Sequence, residues 1–156
     1  MRKGSAKIRP LVPDPRYKDP LVTRIANNIM KCGKKSLAYA ILYKAIDIIT
    51  EKTGEPGLEV LKKALHNISP SVETKRRRVG GATLQVPIEV REHRKIYLGI
   101  KWLLDESRLR SGEKTMEGKL AHEAIAASKE EGRAFKKKID MHKMTESNRA
   151  YSHLRI

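Results

Sequence analysis

The chain has 156 residues, which at roughly 150 residues per domain makes it one domain, long enough to close a single apolar core. Its 34 Lys and Arg against 18 Asp and Glu give a formal charge of +16; such a surplus repels itself in a compact state and points to a polyanionic partner, nucleic acid first and anionic membrane second. The one cysteine, Cys32, excludes an intramolecular disulfide and a Cys-rich zinc cluster, and without a signal-like segment or an apolar run of about 18 residues the expected setting is the cytosol.

Residues 1–18 read as an extended basic arm, with Arg2, Lys3, Lys7, Arg9 and Arg16 among Pro10, Pro13 and Pro15, which block regular helix. Asp19-Pro20 predicts a capped helix start, and Val22, Ile25, Ala26 and Ile29 continue an apolar stripe that Gly33 is expected to stop. From Lys35 to Lys52 the stripe of Leu37, Ala38, Ile41, Leu42, Ala45, Ile46, Ile48 and Ile49 is broad enough for a central helix, ended by Gly54. Pro56 opens a third helix carrying Leu58, Leu61, Leu65 and Ile68, and Pro70 closes it.

Val72 to Val90 breaks the helical rhythm. Leu84, Val86, Ile88 and Val90 recur at a two-residue period and Gly80-Gly81 suits a tight turn, so residues 72–90 predict a two-stranded β-hairpin arm. In that register Val79 faces Ala82, Arg77 faces Leu84 and Lys75 faces Val86, while Arg78 with Thr83 and Arg76 with Gln85 take the other side. Lys75 and Arg77 interrupt the apolar face, so the ribbon is expected to protrude. The run Lys75-Arg76-Arg77-Arg78 reads either as a solvated or nuclear-localisation cluster or as a phosphate-binding ribbon; the counter-charge that four like charges need favours phosphate.

A fourth helix follows from Arg91 to Arg110 with Ile96, Ile100, Leu103 and Leu104, and a fifth runs from the cap Thr115 through Leu120, Ala124 and Ile125 toward Gly132. Residues 133–156 form a basic C-terminal helix and tail, with Phe135, Ile139 and Met144 as its large apolar groups. The expected fold is therefore mainly α: a single helical bundle of about six helices, with a protruding two-stranded β-hairpin arm and an extended basic N-terminal arm, all one domain over 1–156.

Chemistry is not indicated. His66, His93, His122, His142 and His153 are scattered and no phosphate loop or dinucleotide fingerprint occurs, so neither a metal, a cofactor nor a small-molecule substrate is expected. Adjacent carboxylates at Asp105-Glu106 and Glu130-Glu131 point about 100° apart on helices and read as solvated faces. Trp102, Tyr39 and Tyr43 read as packed groups, and at 4% aromatic residues a platform of stacked bases is not the main binding mode.

Four stretches carry a further signal: Pro13-Asp14-Pro15-Arg16-Tyr17, Ile29-Met30-Lys31-Cys32-Gly33-Lys34-Lys35-Ser36, Arg77-Arg78-Val79-Gly80-Gly81-Ala82-Thr83-Leu84-Gln85-Val86-Pro87, and Asn148-Arg149-Ala150-Tyr151-Ser152-His153. In order and spacing they resemble the bacterial form of the small-subunit ribosomal protein seven family, over essentially the whole chain. The resemblance implies a primary binder of small-subunit ribosomal RNA that nucleates assembly of the subunit head, not an enzyme. It places the chain near the transfer RNA exit site, with the hairpin tip Val79, Gly80, Gly81 and Ala82 beside the messenger RNA path, in contact with small-subunit ribosomal proteins nine and eleven and with no membrane.

Matched position by position, the implied RNA contacts are Lys34, Lys35, Lys75, Arg77, Arg78, Arg91, Arg94 and Arg149. The charge layout adds Arg2, Lys3, Arg9, Arg76, Lys95 and Lys136. Arg76 replaces a small polar residue of the family pattern, Leu84 an aromatic, and the close Leu154-Arg155-Ile156 lacks aromatics. The competing reading is a DNA-bending architectural protein with a basic β-ribbon, which calls for an apolar wedge at the ribbon tip.

Overall fold

Asp19 starts the first helix as the sequence predicts: its carboxylate accepts the Leu21 N–H at 2.8 Å and Pro20 takes the first helical position. The computed structural model describes residue 4 and residues 10–154, so Arg2, Lys3, Lys7 and Arg9 lie outside the described residues. Helix α1 (Pro20–Ile29) buries Val22, Ile25, Ala26 and Ile29, then ends at Met30, ahead of Gly33, which turns the link into the next helix instead. Helix α2 (Lys35–Thr53) stops at Gly54 in the left-handed conformation, as expected. Of its stripe, Ala38, Leu42, Ala45, Ile46 and Ile49 are buried, whereas Leu37 is 53% exposed.

Helix α3 (Gly57–Ile68) begins hard against α2. A Cβ on Gly57 would lie 2.3 Å from the Ile46 carbonyl oxygen, so only glycine allows this approach, and the Gly57 N–H donates to Thr50 Oγ1 at 3.0 Å. After the hairpin come α4 (Glu92–Leu109), α5 (Met116–Ser128), α6 (Gly132–Ser147) and a short 3-10 helix (Arg149–Leu154). The centre of the bundle is α5 rather than α2, because α5 touches α2, α3, α4 and α6. Its inward side is mostly small, with Ala121, Ala124 and Ala127 fully buried beside Leu120, which lets four helices approach one axis. Trp102 is core, at 5% exposure, as its neighbours Leu103 and Leu104 suggest.

The hairpin pairs β1 (Val72–Val79) with β2 (Ala82–Glu89) in the predicted register, from Val79 opposite Ala82 to Val72 opposite Glu89. Gly80 and Gly81 both have positive φ, +55° and +90°, as a two-residue turn matched to strand twist requires. The distal half protrudes. The proximal half rests on the body: Val86 is fully buried, Pro87 is buried, and Thr74 Oγ1 donates toward the sulfurs of Met144 (3.5 Å) and Met141 (4.0 Å) on α6. The cations at 75–78 occupy the outer part of β1, leaving the foot of the ribbon apolar enough to pack.

The expected arm is shorter than its prolines suggest, because residues 12–17 are tied to the bundle. Asp14 is 1% exposed and its carboxylate accepts the N–H groups of Arg16 (3.0 Å) and Tyr17 (2.9 Å) and the Tyr43 hydroxyl (2.6 Å). Arg16 adds a bidentate pair with Asp47 on α2, and Thr23 donates to the Val12 carbonyl. Burial and the adjacent Asp14 carboxylate push the Tyr43 phenol up to about 12 from an ordinary 10. A phenol with a raised folded pKa contributes stability that is complete below pH 10 and lost as pH climbs through about 12. In an ultraviolet titration of the folded chain Tyr43 should therefore ionise late, alongside Tyr17, whose phenol burial also raises, and Tyr43→Phe should remove one late step while lowering stability by about 1.5–3 kcal/mol, the worth of a hydrogen bond to a charged acceptor.

Candidate nucleic-acid interface

Two basic loci stand on different parts of the bundle. The first is the hairpin with the start of α4. β2 ends at Glu89 and α4 begins at Glu92, so the chain itself brings Arg91, Arg94 and Lys95 to the foot of the ribbon. Glu73, whose side chain is 12% exposed, ties the ribbon to α4: it accepts from Arg94 at 3.3 Å and lies 3.9 Å from Lys75. Arg94 also covers the ring of Tyr97, 5.5 Å from its centroid. Lys95 pairs with Glu92.

Further out, Arg76 and Arg78 are exposed and form no ion pair with the described residues. Arg77, on the same face as the half-buried Leu84, is itself half-buried. The turn Val79, Gly80, Gly81 and Ala82 is exposed throughout and carries no large side chain beyond Val79.

Arg149 joins this locus from the other side. It opens the 3-10 helix, which packs on β2, and it lines a shallow groove of about 400 Å3 with Val72, Pro87, His142 and Thr145. His142 accepts the Ser71 N–H through Nε2 at 3.3 Å, and burial together with Lys138 holds its pKa below the ordinary value, so it adds no positive charge at neutral pH.

The run Lys136-Lys137-Lys138 on α6 divides by helical geometry, since neighbours point about 100° apart. Lys137 pairs with Glu106 at 2.9 Å and Lys138 donates to the Asn67 carbonyl at 2.7 Å, leaving Lys136 exposed. Glu106 is thus a counter-ion rather than a solvated face, and Glu130-Glu131 fall in the α5–α6 turn rather than on a helix.

The second locus is the α1–α2 link, where Lys31, Lys34 and Lys35 are all exposed. Neither α1 nor α2 touches the strands, so this locus is separate from the ribbon. Its signal is legible in the sequence as a cation-rich stretch flanking Gly33. Glu73 was not: one carboxylate among four cations gives no sign that its partner stands 21 residues further on, at Arg94.

Among the described residues no group of three His, Cys, Asp or Glu side chains is placed to hold a metal, and no helix is long and apolar enough to cross a membrane. The arrangement offers cations and shape.

Comparison with known proteins decides the family. The model of ribosomal protein S7p/S5e matches residues 1–149. The chain belongs to that family. A protein of Amoebophilus asiaticus named small ribosomal subunit protein uS7 is 69% identical over 156 residues, covering the whole of both chains, and one of the same name from Cytophaga hutchinsonii is 56% identical with the same coverage. Membership of the S7 family makes this a structural protein of the cytoplasmic ribosome and not an enzyme, and RNA binding follows from it. It also accounts for the surplus of cations, because a ribosomal protein works against a folded polyanion.

Proposed function

We propose that the chain is a primary binder of small-subunit ribosomal RNA that nucleates assembly of the subunit head. Its helices bury an Ile/Leu/Ala core, while the ribbon, the start of α4, Arg149, Lys136 and the α1–α2 link neutralise phosphates at a junction of RNA helices. The observation that carries this reading is the pair of cations Arg76 and Arg78, without an ion pair among the described residues, on a ribbon whose foot packs on the body and whose tip is exposed. Phosphate contacts position a protein without reading sequence, so selectivity falls to the fold of the RNA matching the spacing of the two basic loci.

The hairpin tip at Val79–Ala82 is the part proposed to lie beside the transfer RNA exit site and the messenger path, its small side chains letting backbone approach backbone. Small-subunit proteins nine and eleven are the proposed protein neighbours. Arg2, Lys3 and Arg9 are proposed to extend the RNA contact from the anchored segment at Asp14.

The test is the double variant Arg76→Ala/Arg78→Ala against deproteinised small-subunit ribosomal RNA, with duplex DNA as competitor. The expected result is weaker binding, a salt slope shallower by about 1.8 (two phosphates at about 0.9 each) and an unchanged helical circular dichroism spectrum. Unchanged affinity, or competition by duplex DNA equal to that by ribosomal RNA, would overturn the proposal; the second outcome is what a DNA-bending protein would give.

A further inference from the structure

Beside the α1–α2 link lies a groove of about 410 Å3, walled by the end of α1, the start of α2, the last turn of α4 and the first residue of α5. Its floor is apolar, formed by Ile29, Met30, Leu37, Ile41 and Met116. Its rim is cationic, with Lys31, Lys34 and Arg108, and among the described residues no carboxylate lines it. Leu37 is the anomaly: it is 53% exposed at the mouth of this groove, on a helix whose other large stripe residues pack inward.

A bare phosphate would use the rim and leave the floor without a partner, and an apolar peptide would use the floor and leave Lys31 and Lys34 unmatched; Arg108 already lies 3.7 Å from the Asp105 carboxylate. A nucleotide lifted out of its stack has both parts, a flat apolar base and an anionic phosphate about one sugar away. Arg108 adds a planar guanidinium of the kind on which an unstacked base rests, and single-stranded loops with splayed bases are where proteins make their specific contacts to RNA. We infer that this groove receives one unstacked nucleotide of the bound RNA, its base against Leu37, Met30 and Met116 and its phosphate between Lys31 and Lys34. The inference rests on the RNA-binding reading above and deepens it, because it gives the second basic locus a means of selecting an unpaired position that phosphate contacts alone do not provide.

The experiment uses the full chain and deproteinised small-subunit ribosomal RNA. Leu37 is half in solvent, so Leu37→Ser leaves the core intact. It should weaken binding by about tenfold, within the range for losing contact with one base, while leaving the dependence of log affinity on log salt unchanged. Lys31→Ala/Lys34→Ala should do the reverse in character and make that dependence shallower.

Cys32 is exposed, lines the same groove and is the sole thiol, so an aryl azide attached there reports what occupies it. Photolysis of the labelled complex should mark unpaired nucleotides. Overturning results are a Leu37→Ser variant that binds as the wild type does, azide marks confined to duplex nucleotides, or, in a reconstituted subunit, marks on another protein. A wild-type chain that fails to bind the RNA would remove the RNA-binding reading and this inference together, whereas wild-type binding with an indifferent Leu37→Ser variant removes this inference alone.

Discussion

Arg110→Met is expected to lower the unfolding free energy by about 3–5 kcal/mol, the cost of leaving a buried charge without its partner. The charge in question is Glu123 on α5, which is 0% exposed. One carboxylate oxygen accepts from Arg110 at 2.6 Å, just past the end of α4, and the other accepts the Ala134 N–H at 2.9 Å in the first turn of α6. A single side chain thus joins three helices and satisfies an N–H that the helix start leaves unpaired. Removing the cation strands the anion, whereas Arg110 itself, 32% exposed, can be hydrated if the anion is removed. Glu123→Gln should therefore cost less than Arg110→Met, and the double variant should be more stable than Arg110→Met alone. Urea unfolding followed by circular dichroism reads all three at constant m-value; additive costs would show that the two residues do not act as a pair.

Affinity for small-subunit ribosomal RNA should fall by about a thousandfold or more between 50 and 200 mM monovalent salt if six or more phosphates are contacted. The six proposed contacts are Arg76, Arg78, Arg91 and Arg94 on the ribbon and the start of α4 and Lys34 and Lys35 on the α1–α2 link, all exposed. Each neutralised phosphate releases condensed counterion, so the effect is multiplicative in the number of contacts and exceeds any single substitution. Arg94 enters with a cost, because it must share or leave Glu73, and Arg94→Ala should accordingly reduce affinity less than Arg78→Ala does. A filter-binding series across that salt range measures both; a flat response would show that charge neutralisation is not what holds the complex.

Local signals in the sequence reached the helices and the hairpin. Asp19 before Pro20, the apolar stripe from Val22 to Ile29, Gly54 after α2 and Gly80-Gly81 between alternating runs each declare their structure within a few residues. What stayed hidden depends on partners far along the chain. Asp14 and Tyr43 are 29 residues apart, Glu73 and Arg94 are 21 apart, and Glu123 reads as one more helix-surface carboxylate until α4 and α6 close over it. The central place of α5 was concealed for a different reason: alanines carry little hydrophobic signal, although their small size is what allows four neighbours to gather around them. The exposure of Leu37, by contrast, was legible: at about 100° per residue it stands roughly 120° from the centre of the buried stripe Ala38, Leu42, Ala45, Ile46 and Ile49, close to the exposed Lys44.

The two methionines within the seat of the hairpin have a mechanical consequence. Thioether side chains have three soft torsions and reshape at little cost, so the joint between Thr74 and α6 yields more readily than the hydrogen-bonded ladder beyond it. Six residues of stiff ribbon separate Thr74 from Gly80, about 20 Å at 3.3 Å per residue. A tilt of about 6° at that pliant pivot therefore swings the far end by about 2 Å, enough for a stiff lever to accommodate small differences in the surface it meets without any strand unpairing.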